Sequence, residues 1–187
     1  MKKELQIVLN TARLTLRLPN ESDNIKFKTF DERNKDSMSP WRSANGEQKK
    51  NHKAQLIQWE QEFKEGKSIR FILFLKDNPE DSIIGFCNFS QIFRGPFQAC
   101  YLGYHIDTAF QGKGLMSEAV AVAIQYMFET QNLHRIMANY MPSNERSARL
   151  LHKLGFVVEG RAKKYLLVHG QWEDHILTSL TNENWTP

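Results

Sequence analysis

The chain has 187 residues, 41% of them hydrophobic, which is enough to bury one sizeable core and fits a single domain over 1–187. Its 25 Lys and Arg against 21 Asp and Glu leave a net charge of +4, a mild bias toward acidic partners such as RNA or phosphorylated cofactors. There is no run of about 18 apolar residues and no apolar leader ending in small residues, so the expected setting is the cytoplasm without membrane contact.

Along the chain, Leu14, Leu16 and Leu18 alternate with Thr15 and Arg17, the period-2 mark of a half-buried strand, closed by Pro19. Polar helical segments are expected over about 22–34 and 47–65. Strand-like runs follow at about 69–75, 83–92 and 98–106, with Gly95 and Pro96 turning the chain between the last two. From Gly114 the period lengthens: Leu115, Met116, Ala119, Val120, Ala123, Ile124, Met127 and Phe128 mark an amphipathic helix with a broad buried face. A strand at about 134–140 comes next. A shorter helix runs from Glu145 to Leu154, capped by Ser143 or Asn144 and stopped by Gly155. Two closing strands, about 156–167 and 171–180, turn at His169 and Gly170. This order makes an α+β fold, a sheet with helices on both faces. Cys87 and Cys100 each sit in an apolar run and read as buried reduced thiols.

The segment richest in chemistry is Leu102 to Glu118, where a strand passes through a glycine loop straight into a helix. Gly112 and Gly114 let backbone amides approach a ligand, and the first-turn amides of the helix present the positive end of its dipole. That is an environment for a pyrophosphate. The loop lacks the spacing of the nucleotide P-loop, and the following strand offers no acid for a ribose, so ATP and NAD are poor fits. The histidines show no paired metal-ligand spacing, and no metal is expected. Trp41, Trp59, Phe93 and Phe97 are either core aromatics or candidates to line an acceptor groove.

Gln111-Gly112-Lys113-Gly114-Leu115-Met116 resembles the Q/R-x-x-G-x-G/A loop of the GNAT acetyltransferases. The opening TARLTLRL, IIGFCNFS, LGYHID, the stretch from HRIMANYMPSNERSARLLHKLGF to GQW, and EDHILTSL are similar to the RimJ and RimL branch over nearly the whole chain, nearer its RimJ side. The resemblance implies a mixed, mostly antiparallel central sheet and transfer of acetyl from acetyl-CoA to the N-terminal amine, alanine, of a small-subunit ribosomal protein, close to the ribosome or its RNA. It also implies that the amides of Gln111, Gly112, Lys113, Gly114, Leu115, Met116 and Ser117 bind the cofactor pyrophosphate. Met116 departs from the family's small residue, at a position that contributes its amide. Tyr104, His105 and Ile106 would hold the pantetheine arm through their backbone, and Asn144 would bind the same arm.

The tyrosine that many relatives place seven residues after this asparagine is Leu151 here; the resemblance to the RimL branch, which carries a serine immediately before the asparagine, implies Ser143 as the proton donor to the coenzyme A sulfur, with a helix-capping role as the alternative. The family's glutamate base is replaced by Leu166, leaving Glu159, Asp174 or a water held by backbone carbonyls. An α-amine of pKa near 8 is roughly ten percent neutral at pH 7 and needs less help from a base than a lysine does. Acetylation of a small amine, or acetyl-CoA binding without chemistry, remain the alternatives at this point.

Overall fold

Alternation sets the sheet. In the computed structural model, which describes residues 7–38, 51–78 and 80–187, Leu14 and Leu16 point into the core from β2 (Leu14–Arg17) while Thr15 and Arg17 lie half-buried on the other face. β2 pairs antiparallel with β1 (Val8–Asn10) and with β3 (Ile69–Leu75). β1 was absent from the sequence expectation, because three residues are too few for a period to show.

Helical segments join β2 to β3: a 3-10 turn at Glu21–Asp23, α1 (Asn24–Arg33), α2 (Lys35–Met38) and α3 (His52–Lys64). The Asn51 side chain accepts from the Ala54 amide at 3.1 Å and fixes where α3 begins, later than the expected residue 47. Residues 47–50 of that expectation, and Trp41, lie outside the described residues.

β3 is apolar on both faces for a physical reason. Ile69, Phe71 and Leu73 pack toward α4 (Leu115–Glu129), while Ile72 and Phe74 pack on Phe27 and Phe30 of α1 and Leu56 of α3. Helices therefore cover both sides of the sheet, as expected, and each fully buried large side chain contributes about 1.5–3 kcal/mol. Small Ala119 and Ala123 let α4 lie close on the strands beneath it, with Val120, Ile124 and Met127 filling the layer.

The remaining strands are β4 (Gly85–Phe93), β5 (Ala99–Ile106), β6 (Arg135–Met137), β7 (Val157–Val168) and β8 (Gln171–Thr181), with α5 (Glu145–Lys153) between β6 and β7. The sheet order is β1-β2-β3-β4-β5-β6-β8-β7, antiparallel throughout except for the β5–β6 pair. Among the described residues no helix is long and apolar enough to cross a membrane.

The strand expected over 134–140 ends at Met137, and that shortening makes the site. β5 and β6 pair from Ala99 with Arg135 to Tyr101 with Met137. β5 then runs on to Ile106, whereas the chain after Met137 leaves β5 and stays with β8, which β6 already pairs: the Ala138 amide donates to the Thr178 carbonyl at 3.0 Å, and the Tyr140 amide to the Ile176 carbonyl at 3.1 Å. Among the described residues no strand pairs with Leu102–Ile106 on that side. A wedge opens in the middle of the sheet.

Candidate active site

The wedge is a cleft of about 1240 Å³. One wall is β5, with Tyr104, His105 and Ile106; the floor is the loop and helix start at Gln111, Gly112, Gly114, Leu115, Met116 and Ser117; the far wall carries Ser143 and Asn144. These residues, separated by up to forty positions in the chain, line one space. Lys113 is the exception: its ammonium lies 5.4 Å from the Phe110 ring centroid, and its side chain is not part of the cleft.

Gly112 and Gly114 both have φ of +74°, in the left-handed region. Gly114 is the N-cap of α4 and supplies no side-chain cap, so the first-turn amides of a fifteen-residue helix face the cleft without a capping oxygen. Leu115 and Met116 are buried, which leaves their amides as what the cleft sees. Met116 therefore serves the core with its side chain, in keeping with a position that needs only a backbone donor.

Arg13, in the β1–β2 turn, clamps this loop from behind. Its Nη1 donates to the Lys113 carbonyl at 3.0 Å, and its Nε to Glu118 Oε2 at 2.7 Å. Burial pushes the Glu118 carboxyl up, but hydrogen bonds from Thr11 and Arg13 outweigh it and hold the group below the usual range. Sequence reading missed Arg13, since nothing local links it to a loop a hundred residues away. On the other side Gln111 donates to the Ile106 carbonyl at 3.3 Å and accepts from Arg146 of α5, bridging both walls.

The far wall resolves the cap. Asn144 Oδ1 accepts the Ser147 amide at 3.1 Å, so Asn144 is the N-cap of α5. Ser143 is exposed on the cleft and makes no side-chain hydrogen bond to a described residue. Tyr104 reaches across to Ser147 Oγ at 2.7 Å, and burial pushes its hydroxyl up to about 12, which keeps it neutral and fixed. Arg146, Arg149 and Lys153 add positive charge along one side of α5, a spacing of three and four that was legible in the sequence but not used.

Neither carboxylate considered as a base lines the cleft. Glu159 is ion-paired with Arg135 and accepts from Ser179 at 3.0 Å; the Arg135 hydrogen bond holds it below the usual range. Asp174 accepts from the Lys164 amide at 2.9 Å and from Arg161, and is likewise lowered. Cys87 and Cys100 are buried and free; burial raises both thiols, Cys100 up to about 12. Neither fits a covalent acyl carrier. Trp59 packs edge-on against Phe27, Phe93 pairs with Phe97, and none of the three lines the cleft. Among the described residues no three His, Cys, Asp or Glu converge as a metal set.

An opened parallel strand pair running into a glycine loop and a bare helix N-terminus offers free backbone hydrogen-bonding groups along one wall and an anion site at the floor. The family model described as an acetyltransferase (GNAT) domain matches residues 13–157. The chain belongs to the GNAT acetyltransferase family. It is 46% identical over 185 residues to the Escherichia coli [ribosomal protein uS5]-alanine N-acetyltransferase, covering 97% of this chain and 94% of that one. A crystal structure of ribosomal-protein-S5-alanine acetyltransferase from Vibrio fischeri superposes with a TM-score of 0.87 at 41% identity, covering 97% of this chain and all of the other. At 24% identity, Mycobacterium smegmatis RimJ in complex with CoA-disulfide shares the fold, with a TM-score of 0.82 over 93% of this chain and 84% of that one. This GNAT chain thus carries the α+β architecture and mostly antiparallel sheet that its sequence led us to expect.

Proposed function

We propose that this chain is a cytoplasmic, single-domain enzyme that moves the acetyl group of acetyl-CoA to the N-terminal α-amine, alanine, of a small-subunit ribosomal protein. The observation that carries the acceptor is the full-length likeness to uS5-alanine N-acetyltransferases at 46% identity. The observation that carries the donor is the wedge between β5 and β6 with uncapped amides at its floor.

In this reading the amides of Gln111 to Ser117 take the pyrophosphate, the dipole of α4 adding to their charge. The backbone of Tyr104 to Ile106, left without a strand partner on the β6 side, hydrogen-bonds the pantetheine arm and thioester. Its donors stabilise the oxyanion when the amine attacks directly. Asn144 keeps its Nδ2 for the arm while Oδ1 caps α5. Ser143, relieved of capping by Asn144, passes a proton to the departing sulfur. The net charge of +4 and the exposed Arg161, Lys163 and Lys164 of β7 favour approach to the RNA-rich surface of a ribosome.

Incubation with acetyl-CoA and a panel of acceptors tests the reading through release of the coenzyme A thiol. Release is expected with alanine-initiated peptides, and neither with the same peptides blocked at the N-terminus nor with polyamines. Equal release with a small polyamine would shift the function to small-molecule acetylation. No release with any acceptor, alongside normal acetyl-CoA binding, would reduce the protein to a binding factor.

A further inference from the structure

An α-amine that arrives protonated must lose a proton before it can attack, and the cleft offers no free carboxylate for this among the described residues: Glu145, on its wall, is exposed and ion-paired with Arg149 at 3.1 Å. We propose that His175 is the general base, an inference that rests on the N-terminal acetyltransferase reading. His175 lies on β8, is 5% exposed and lines the cleft beside Leu166 and Val168.

Its orientation is set at two points. Nδ1 lies 3.1 Å from the Glu173 carbonyl oxygen. A carbonyl can only accept, so Nδ1 carries the proton and Nε2 keeps its lone pair. No described residue hydrogen-bonds Nε2. The ring packs against that of Tyr165, with centroids 5.4 Å apart, and the Tyr165 hydroxyl is held in turn by Asn139 Nδ2 at 3.0 Å. The imidazole is fixed with its basic nitrogen unspent.

Register places it at the reacting end of the cleft. Tyr140 bridges Ile176 in antiparallel sense, which sets Met141 level with His175, two residues before Ser143. Thr178 lines a smaller cavity with Ala148 and Leu151 of α5, so His175, an odd number of residues away on a regular strand, belongs to the other face of the sheet. His105 is on that face too, its ring 6.0 Å from Phe30 of α1. The acceptor and the proton donor Ser143 then approach the thioester from opposite sides.

The protons balance. Nε2 removes one from the α-ammonium, forming imidazolium and a neutral amine. The amine lone pair attacks the thioester carbonyl carbon, the C–S bond breaks, and a second nitrogen proton ends on the departing sulfur. The imidazolium returns its proton to water, so each turnover releases one proton.

The titratable and charged groups that touch His175 or line its cleft are Tyr165 from β7, Tyr140 from the segment after β6, Tyr104 and His105 on β5, and Glu145, Arg146, Arg149 and Lys153 on the α5 side; Glu173 and Asp174 are its neighbours in the strand. None offers an unpaired carboxylate in the cleft.

The test is His175→Asn, whose amide keeps a donor near Nδ1 but has no basic nitrogen. With an alanine-initiated peptide, kcat/KM at pH 7 should fall about tenfold, because roughly a tenth of the α-amine is already neutral there without a base. The deficit should shrink as pH rises above about 8, where the α-amine is neutral unaided, and acetyl-CoA affinity should not change. An unchanged rate at pH 7, or a loss of the same size at every pH, overturns the proposal. His175→Gln repeats the comparison if the asparagine variant fails to fold. Nitrogen NMR of the wild-type ring gives a readout independent of either variant: the proton is expected on Nδ1, and an Nε2-protonated tautomer would also overturn it. Wild-type protein that acetylates no N-terminus would instead remove the underlying function, a result distinct from any of these.

Discussion

Gly114→Trp should weaken acetyl-CoA binding at least about 100-fold, a loss of roughly 2.7 kcal/mol, while leaving the sheet folded. Gly114 has φ of +74°, where a side chain costs about 1–2 kcal/mol of backbone strain. A Cβ there would stand 3.7 Å from Arg13 Nη2, so the backbone itself has room, and the damage falls on the ligand. An indole at the N-cap of α4 would occupy the space from which a phosphate reaches the first-turn amides. Titration calorimetry reads the affinity and circular dichroism the fold. Unchanged affinity in a folded variant would remove the phosphate-loop assignment.

The second large effect is expected at Gly85. It sits opposite Ile106 in the β4–β5 ladder, and a Cβ built on it would lie 2.6 Å from the His105 carbonyl oxygen. Backbone cannot yield as a flexible side chain does, so Gly85→Val must push β5 away from β4 or twist it. Overpacking of this kind costs about 1–3 kcal/mol. The same shift moves the wall of the cleft that positions the thioester, where a displacement near 1 Å costs about 100-fold in rate. Denaturant unfolding and steady-state kinetics should show both losses together. A valine variant with wild-type stability and turnover would mean that the close approach of β4 to His105 has no role.

The long helix, the glycine loop and the β7–β8 hairpin were legible in the sequence because each is specified locally: a 3.6-residue period, positive-φ glycines before a helix, and His169-Gly170 between two alternating runs. What the sequence concealed was set by partners far along the chain. After Met137 the chain follows β8, about forty residues later, and parts from β5, and no periodicity records that choice. The clamp of Arg13 on Lys113 and Glu118 is equally non-local. Ser143 and Asn144 were indistinguishable as caps until the geometry gave the role to Asn144. His175 looked like one more isolated histidine; its interest comes from a carbonyl at Nδ1, a tyrosine ring against its face and a place in the cleft, all tertiary facts. Glu159 and Asp174 failed as bases for the complementary reason, that arginines out of sight in the sequence already hold them.

An N-terminal α-amine is the acceptor that chemistry favours in this cleft. At pH 7 roughly ten percent of an α-amine of pKa near 8 is neutral, against roughly 0.04 percent of a lysine of pKa near 10.4, a preference of more than two orders of magnitude before any contact with the protein is counted. The decisive measurement is the intact mass and fragment spectrum of a small-subunit ribosomal protein beginning with alanine, after incubation with this enzyme and acetyl-CoA. One acetyl group is expected, located on the N-terminal alanine. Acetyl groups on internal lysines with the N-terminus untouched would contradict it.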